Sequence, residues 1–170
     1  IMENDEGTVG VQALQVIEGQ RLNMFENYGG YGTLYFFLQA LPVGMLGRSI
    51  LALRLVTALA GTLTIPLAAW LGWRLFGYRT ALAGTLLLAA SHLHVHFSLV
   101  SPTAGSFDPL FTTALALLLY DALTRRGLHR WAAAGVVMGV GRHFYGGARA
   151  MVVIVIALLG GVLVFRRGLL

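Results

Sequence analysis

The sequence predicts an all-α fold: a polytopic transmembrane helical bundle with two juxtamembrane interfacial helices in its first outer loop. Three observations carry that expectation. Hydrophobic residues fill 57% of the 170 positions and charged residues only 11%, whereas an average soluble domain carries roughly 25% charged residues. Mean hydropathy is +0.75. The charges that exist stand at the ends of long apolar runs, where arginine anchors a helix to lipid headgroups. A soluble chain of this length could bury one core but could not hide so much apolar surface from water.

Each element has its own signature. Residues 1–30 form the one long polar stretch, with Glu3, Asp5, Glu6, Glu18, Arg21 and Glu26. Within it Val9, Val11, Leu14, Val16 and Ile17 recur at near-helical spacing, which predicts an amphipathic interfacial helix over about 8–19. Residues 33–46 are apolar and aromatic but broken by Pro42 and Gly44. That run is short for a span, which needs about 20 residues, so it reads as the second juxtamembrane helix. Residues 1–48 thus make an extracytoplasmic loop, and residues 49–170 a bundle of about five membrane helices near 50–75, 80–100, 107–124, 131–147 and 149–165. The first of the five has no charge from Leu55 to Trp73; the second has none from Thr80 to Phe107 and should stop near Val100, ahead of Pro102 and Gly105. The third carries Asp121 in its last turn, the fourth ends among Arg142, His143 and Tyr145, and the fifth ends at Arg166 and Arg167. No basic n-region with an apolar h-region opens the chain, so the sequence is expected to be a fragment lacking an upstream helix and a downstream portion.

Alternation of these helices gives a topology. With 1–48 outside, the loops near 74–80, 124–130 and 166–170 face the cytoplasm and hold seven of the twelve arginines, as the positive-inside rule requires. The outside then collects Glu3, Asp5, Glu6, Glu18, Glu26 and Asp108, six of the seven acids. Acidic residues do little to orient a chain, so their one-sidedness points to a catalytic face. The basic residues are all arginine, with a net charge of +5, but no basic stripe with interleaved aromatics exists, which excludes nucleic acid as a partner. The absence of cysteine excludes disulfides and thiolate metal sites.

Several side chains can carry chemistry. Asp5-Glu6, two adjacent carboxylates beside a membrane surface, can serve as a general base or bind a divalent cation, or can be a solvated acidic loop. Asp108, in Ser-Phe-Asp-Pro at the outer mouth of a helix, reads both as a cap and as a functional acid. In His92-Leu-His94-Val-His96 only His92 and His96 share a helical face, which argues against three-fold metal ligation and leaves His96 to touch an anionic substrate. Arg142 and Arg149 flank Phe-Tyr-Gly-Gly; each can hold a phosphate or snorkel to a headgroup.

The ordered set Asp5-Glu6-Gly, Phe25-Glu26, Tyr31-Gly-Thr-Leu-Tyr-Phe-Phe, Arg54-Leu-Val-Thr-Ala-Leu-Ala-Gly, Arg74-Leu-Phe-Gly, His94-Val-His-Phe-Ser, Asp108-Pro-Leu-Phe and Phe144-Tyr-Gly-Gly-Ala-Arg149 resembles the N-terminal membrane region of a GT-C glycosyltransferase of family 39. That group contains the protein O-mannosyltransferases and the lipid A aminoarabinose transferases. The resemblance implies an integral protein of the bacterial plasma membrane, active on its extracytoplasmic face. It implies transfer of a sugar, with inversion, from a polyprenyl-phosphate carrier to a lipid, protein or glycan acceptor. It assigns Asp5 as base, with Glu6 and Asp108 as further catalytic acids. A divalent metal cation is expected on Glu6 and Asp108, and Glu26, His96, Tyr145, Arg149 and Arg142 would contact substrate. Two positions depart from the family: Asn27 stands where the aminoarabinose transferases have Lys, and Leu99 where many bacterial members have Arg. Both remove a cation from the carrier phosphate. Asp5 and Asp108 should then open on the rim of one lipid-accessible cavity. The competing readings are a transporter or permease fragment, which should place ionisable groups near mid-membrane, and a non-catalytic membrane homologue.

Overall fold

The computed structural model describes residues 4–20, 23–25, 27–28, 31–99, 104–125, 127–144 and 149–167, with Asn4, Asp5, Asn27, Tyr28, Tyr31, Ala104, Arg149, Leu158, Leu159 and residues 162–167 described by their backbone alone. The order of elements is α1 (Asn4–Ile17), β1 (Asn27–Tyr28), β2 (Tyr31–Gly32), α2 (Thr33–Leu46), α3 (Ile50–Phe76), α4 (Tyr78–Ala89), α5 (His92–Leu99), α6 (Asp108–Thr124), α7 (Leu128–Arg142) and α8 (Arg149–Arg167), with a 3-10 turn over Ala104–Phe107. Apart from the two-residue antiparallel ladder β1–β2, the described fold is helical. It is the helical membrane bundle that the composition predicts. Two stretches, Ile50–Phe76 and Gly105–Thr124, are long and apolar enough to cross a membrane, and α4 with α5 makes a third if the bent pair counts as one span.

Helix α1 starts four residues before the position its apolar spacing suggests, because Asp5 and Glu6 suit the positive end of the helix dipole. It stops where Gly19 takes φ 72, and the amides of Gly19 and Gln20 turn back onto the carbonyls of Val16 and Gln15. Helix α2 then packs between α1 and α3. Its Gln39 is fully buried and donates to the Leu53 carbonyl. Helix α3 opens with Ser49 as N-cap, the hydroxyl accepting from the Ala52 amide at 3.2 Å. At 27 residues it is about 40 Å long, more than the roughly 30 Å hydrocarbon thickness of a bilayer.

The segment that hydropathy carries as one helix to Val100 is two, α4 and α5, bent by 55°. Neither proline nor glycine marks the break. Instead the Ser91 hydroxyl faces the His94 amide at 3.5 Å, where it starts a new helix as a capping residue does. Helix α5 then crosses α3 at Gly61, so tightly that a Cβ there would strike the Ser98 hydroxyl. Small residues let helix backbones approach closely in the absence of a hydrophobic driving force.

One aromatic core ties these pieces together. Val9, Tyr35, Phe36, Val56, Ala60, Phe107 and Phe144 are buried as one cluster, with Phe107 and Phe144 ring centroids 4.9 Å apart and Phe111 5.0 Å from Phe144. The ladder strand β2 docks on the same spot: the Gly32 amide donates to the Phe144 carbonyl at 3.0 Å. A side chain on Gly32 would collide with the His143 backbone carbonyl. Gly32→Ala should therefore cost roughly 1–3 kcal/mol, the range for overpacking, whereas Gly7→Ala, on a helix with open space around it, should be neutral or stabilising. Thermal unfolding of both variants in the same detergent checks the contrast.

The ends of α3 are chemically distinct. Arg54 pairs with Glu6, and Arg74, twenty residues on, pairs with Asp121; at 1.5 Å per residue the two sites are about 30 Å apart. Phe107, next to Asp108, packs on Val56 and Ala60. Glu6 and Asp108 thus belong to one end of the bundle and Asp121 to the other.

Candidate functional site

Glu6 is not part of a solvated loop. It sits in the first turns of α1, 1% exposed, because its carboxylate meets a guanidinium: Arg54 reaches its Oε1 through Nε at 2.8 Å and through Nη2 at 2.7 Å. A carboxylate buried this deeply needs a charged, hydrogen-bonded partner, and Arg54, 48 residues away in sequence, supplies it. The pair fixes the start of α1 on the start of α3. Asp5 is the preceding residue on the same helical turn; its side chain lies outside the described residues. The adjoining cleft, about 230 Å³, is lined by Glu6, Gly7, Gly10, Arg48 and Ser49 with Leu14 and Leu53.

Asp108 lines a different and larger cleft of about 560 Å³, opened by the bend between α4 and α5. Around it stand Ser91, His94, Ser98 and Ser106, with Leu88, Leu93 and Phe97 as apolar wall. Asp108 has no ion pair and no hydrogen-bond partner among the described residues. The cap position of α6 falls on Phe107 instead, since the 3-10 turn over Ala104–Phe107 runs straight into the helix. The serines are not loose: Ser98 donates to the His94 carbonyl at 2.6 Å, and Ser106 to the Phe97 carbonyl at 2.7 Å. His94 Nε2 lies 3.2 Å from the Gly61 carbonyl. A half-buried carboxylate beside held hydroxyls and an imidazole can accept hydrogen bonds from a hydroxyl-rich ligand, and an ionisable group inside a membrane bundle marks function by default.

The sequence-derived residues fall in several places. Glu6 and Asp108 line separate clefts; the shared rim expected of Asp5 and Asp108 falls on a side chain outside the described residues. His96 does not line the Asp108 cleft; it lies beside His92, ring centroids 5.9 Å apart, and against Phe97. His94 takes the place in the cleft. The signal for it is present in the sequence: Ser91, His94 and Ser98 recur at i, i+3 and i+7, one helical face, opposite the small residue Gly61. Arg142 is the exposed last residue of α7, and Arg149 begins α8. Tyr145 and Glu26 lie outside the described residues, although their neighbours Phe25 and His143 meet edge to face at 5.1 Å.

The divalent cation does not fit the donors described. The Glu6 carboxylate is engaged by Arg54, Asp108 is in another cleft, and no three His, Asp or Glu side chains come together among the described residues.

No curated protein and no solved structure matches the chain. Residues 32–170, most of the chain, match the family described as dolichyl-phosphate-mannose-protein mannosyltransferase. The match covers Arg54, the Asp108 cleft and the α7–α8 connection, and begins after Asp5, Glu6 and Glu26. The chain belongs to the dolichyl-phosphate-mannose-protein mannosyltransferase family, as a helical membrane protein of glycosyltransferase type.

Proposed function

We propose that the protein moves a sugar from a polyprenyl-phosphate carrier to an acceptor hydroxyl at the end of the bundle that holds Glu6 and Asp108, the extracytoplasmic end by the arginine distribution, with inversion of the anomeric centre. The observation that carries this is the Asp108 cleft: an unpartnered carboxylate among hydroxyls, in an apolar bundle of a glycosyltransferase family. A glycosyl phosphate already carries a good leaving group. The protein has only to take a proton from the acceptor and stabilise the departing phosphate.

In this scheme Asp5 takes the acceptor proton as the acceptor oxygen attacks the anomeric carbon. The bond from that carbon to the phosphate oxygen breaks on the opposite face, and polyprenyl phosphate leaves with the electron pair. Glu6 does not react; held by Arg54, it fixes the turn that presents Asp5. Asp108 accepts hydrogen bonds from sugar hydroxyls. Arg142, at the end of α7, or Arg149, at the start of α8, stabilises the phosphate. The apolar groove of about 480 Å³ lined by Leu38, Leu41, Met45, Leu59, Leu63 and Leu110 has the chemistry to take the carrier's tail.

The test is transfer from a polyprenyl-phosphate sugar by the full-length protein in proteoliposomes. Wild type should release polyprenyl phosphate in step with acceptor glycosylation. Asp108→Asn should raise the donor KM by about 10–100-fold, the worth of a hydrogen bond to a charged group, with membrane insertion unchanged. Absence of both donor binding and transfer in the wild type would sink the proposal.

A further inference from the structure

We propose that the arginine-rich end of the bundle holds an anionic phospholipid, its phosphate among Arg74, Arg79 and Arg125 and one acyl chain in the cleft between α3 and α4. Neither the aromatic core nor the Asp108 cleft takes part; this is the opposite end of α3. The two helices meet at Gly77, whose φ of 83 makes the tight return. Beneath that turn lies a cleft of about 420 Å³ walled by Pro66, Trp70 and Trp73 of α3 and by Tyr78, Ala81 and Leu82 of α4. Its walls are almost wholly apolar, and Trp73 and Tyr78, at the turn, are 62% and 65% exposed. Such rings belong at the level of lipid headgroups. The length of α3 carries this end beyond the hydrocarbon, so a chain lying in the cleft has its headgroup at the arginines.

Charge selects the headgroup. Arg74 lies over the Trp70 ring, 5.9 Å from its centroid, and Tyr120 donates to the Arg74 carbonyl at 3.3 Å. Asp121 is the one acid at this end among the described residues. Arg74 Nη1 approaches its Oδ1 at 3.4 Å and Arg125 Nε at 3.7 Å. Arg79 begins α4 beside Tyr78, and Arg130 lies in the first turn of α7. Arg74, Arg79, Arg125 and Arg130 outnumber Asp121, and Arg74, stacked on Trp70, joins this charge to the apolar slot. Clustered arginine at the membrane surface attracts anionic lipid, and the slot turns a diffuse attraction into a defined site. The phosphate would complete the shell that Asp121 fills only in part.

The full-length protein in neutral detergent, titrated with phosphatidylglycerol or phosphatidylcholine and followed by thermal unfolding, tests this. Phosphatidylglycerol should raise the melting temperature by about 2–4 °C; phosphatidylcholine and inorganic phosphate should not. Arg79→Gln with Arg125→Gln, both exposed positions, should lose most of that rise, and Trp73→Ala should lose about half of it. Arg48→Gln, at the far end of α3, should keep it. A full rise in both the double variant and Trp73→Ala overturns the site. Equal rises from phosphatidylcholine, from phosphate alone, or an equal loss in Arg48→Gln also overturn it, since each points to nonspecific detergent, ion or charge effects. Should the double variant not insert, Trp73→Ala alone carries the decision.

Discussion

Asp5→Asn in the full-length protein is expected to slow sugar transfer by about 10²–10⁴-fold, the usual contribution of a positioned general base, with insertion and melting temperature nearly unchanged. The substitution keeps shape and hydrogen-bonding reach while removing the proton acceptor. Asp5 stands in the first turn of α1, where a negative charge contributes only about 0.3–1 kcal/mol through the helix dipole, so the fold should hold. The neighbouring Glu6→Gln should behave differently. Its side chain is buried against Arg54, so its loss should appear first in stability and in activity only as α1 shifts. A split of that kind, activity from one residue and stability from the next, separates base from anchor. Full transfer by Asp5→Asn would remove Asp5 from the reaction and make Asp108 the leading candidate.

Arg54→Ala should be the most destabilising single change at this end of the bundle. It takes from a carboxylate 1% exposed the cation that Nε and Nη2 hold against it. Breaking one side of a buried pair costs about 3–5 kcal/mol, and the 30% exposure of the Arg54 side chain argues for the lower part of that range. Because α1 contacts α3 through this pair, the loss should reach α1 first, as faster amide exchange over Asn4–Ile17. Glu6→Leu combined with Arg54→Met should recover most of the loss, since well-packed apolar residues often replace a buried pair at little cost. A double-mutant cycle measures the coupling; a value near zero would mean that packing by Val9 and Ala13 alone holds α1.

The helical membrane class is legible because long apolar runs flanked by arginine are at home in a bilayer and in little else, and the family is legible in an ordered set of short motifs. The Glu6–Arg54 pair is not. Nothing local joins two residues 48 positions apart, and only the packed helices reveal that one neutralises the other. The bend at Ala90–Ser91 is invisible to hydropathy, which runs through it unbroken; a serine capturing a nearby amide leaves no mark in apolar periodicity. Nearness to the helix end favours His96 over His94, whereas the crossing at Gly61 decides which histidine faces inward. The cap expected at Asp108 moves to Phe107 because a 3-10 turn extends the helix backward, and such turns have weak sequence signals.

The clasp between Gly32 and Phe144 carries a mechanical consequence. It fastens the end of the ladder to the chain just after α7, with Phe25 leaning on His143 a few ångströms away. Two segments more than a hundred residues apart are thereby clasped together beside the aromatic core. Strain placed on either segment must therefore reach the other, so a side chain forced in at Gly32 should be felt at the end of α7.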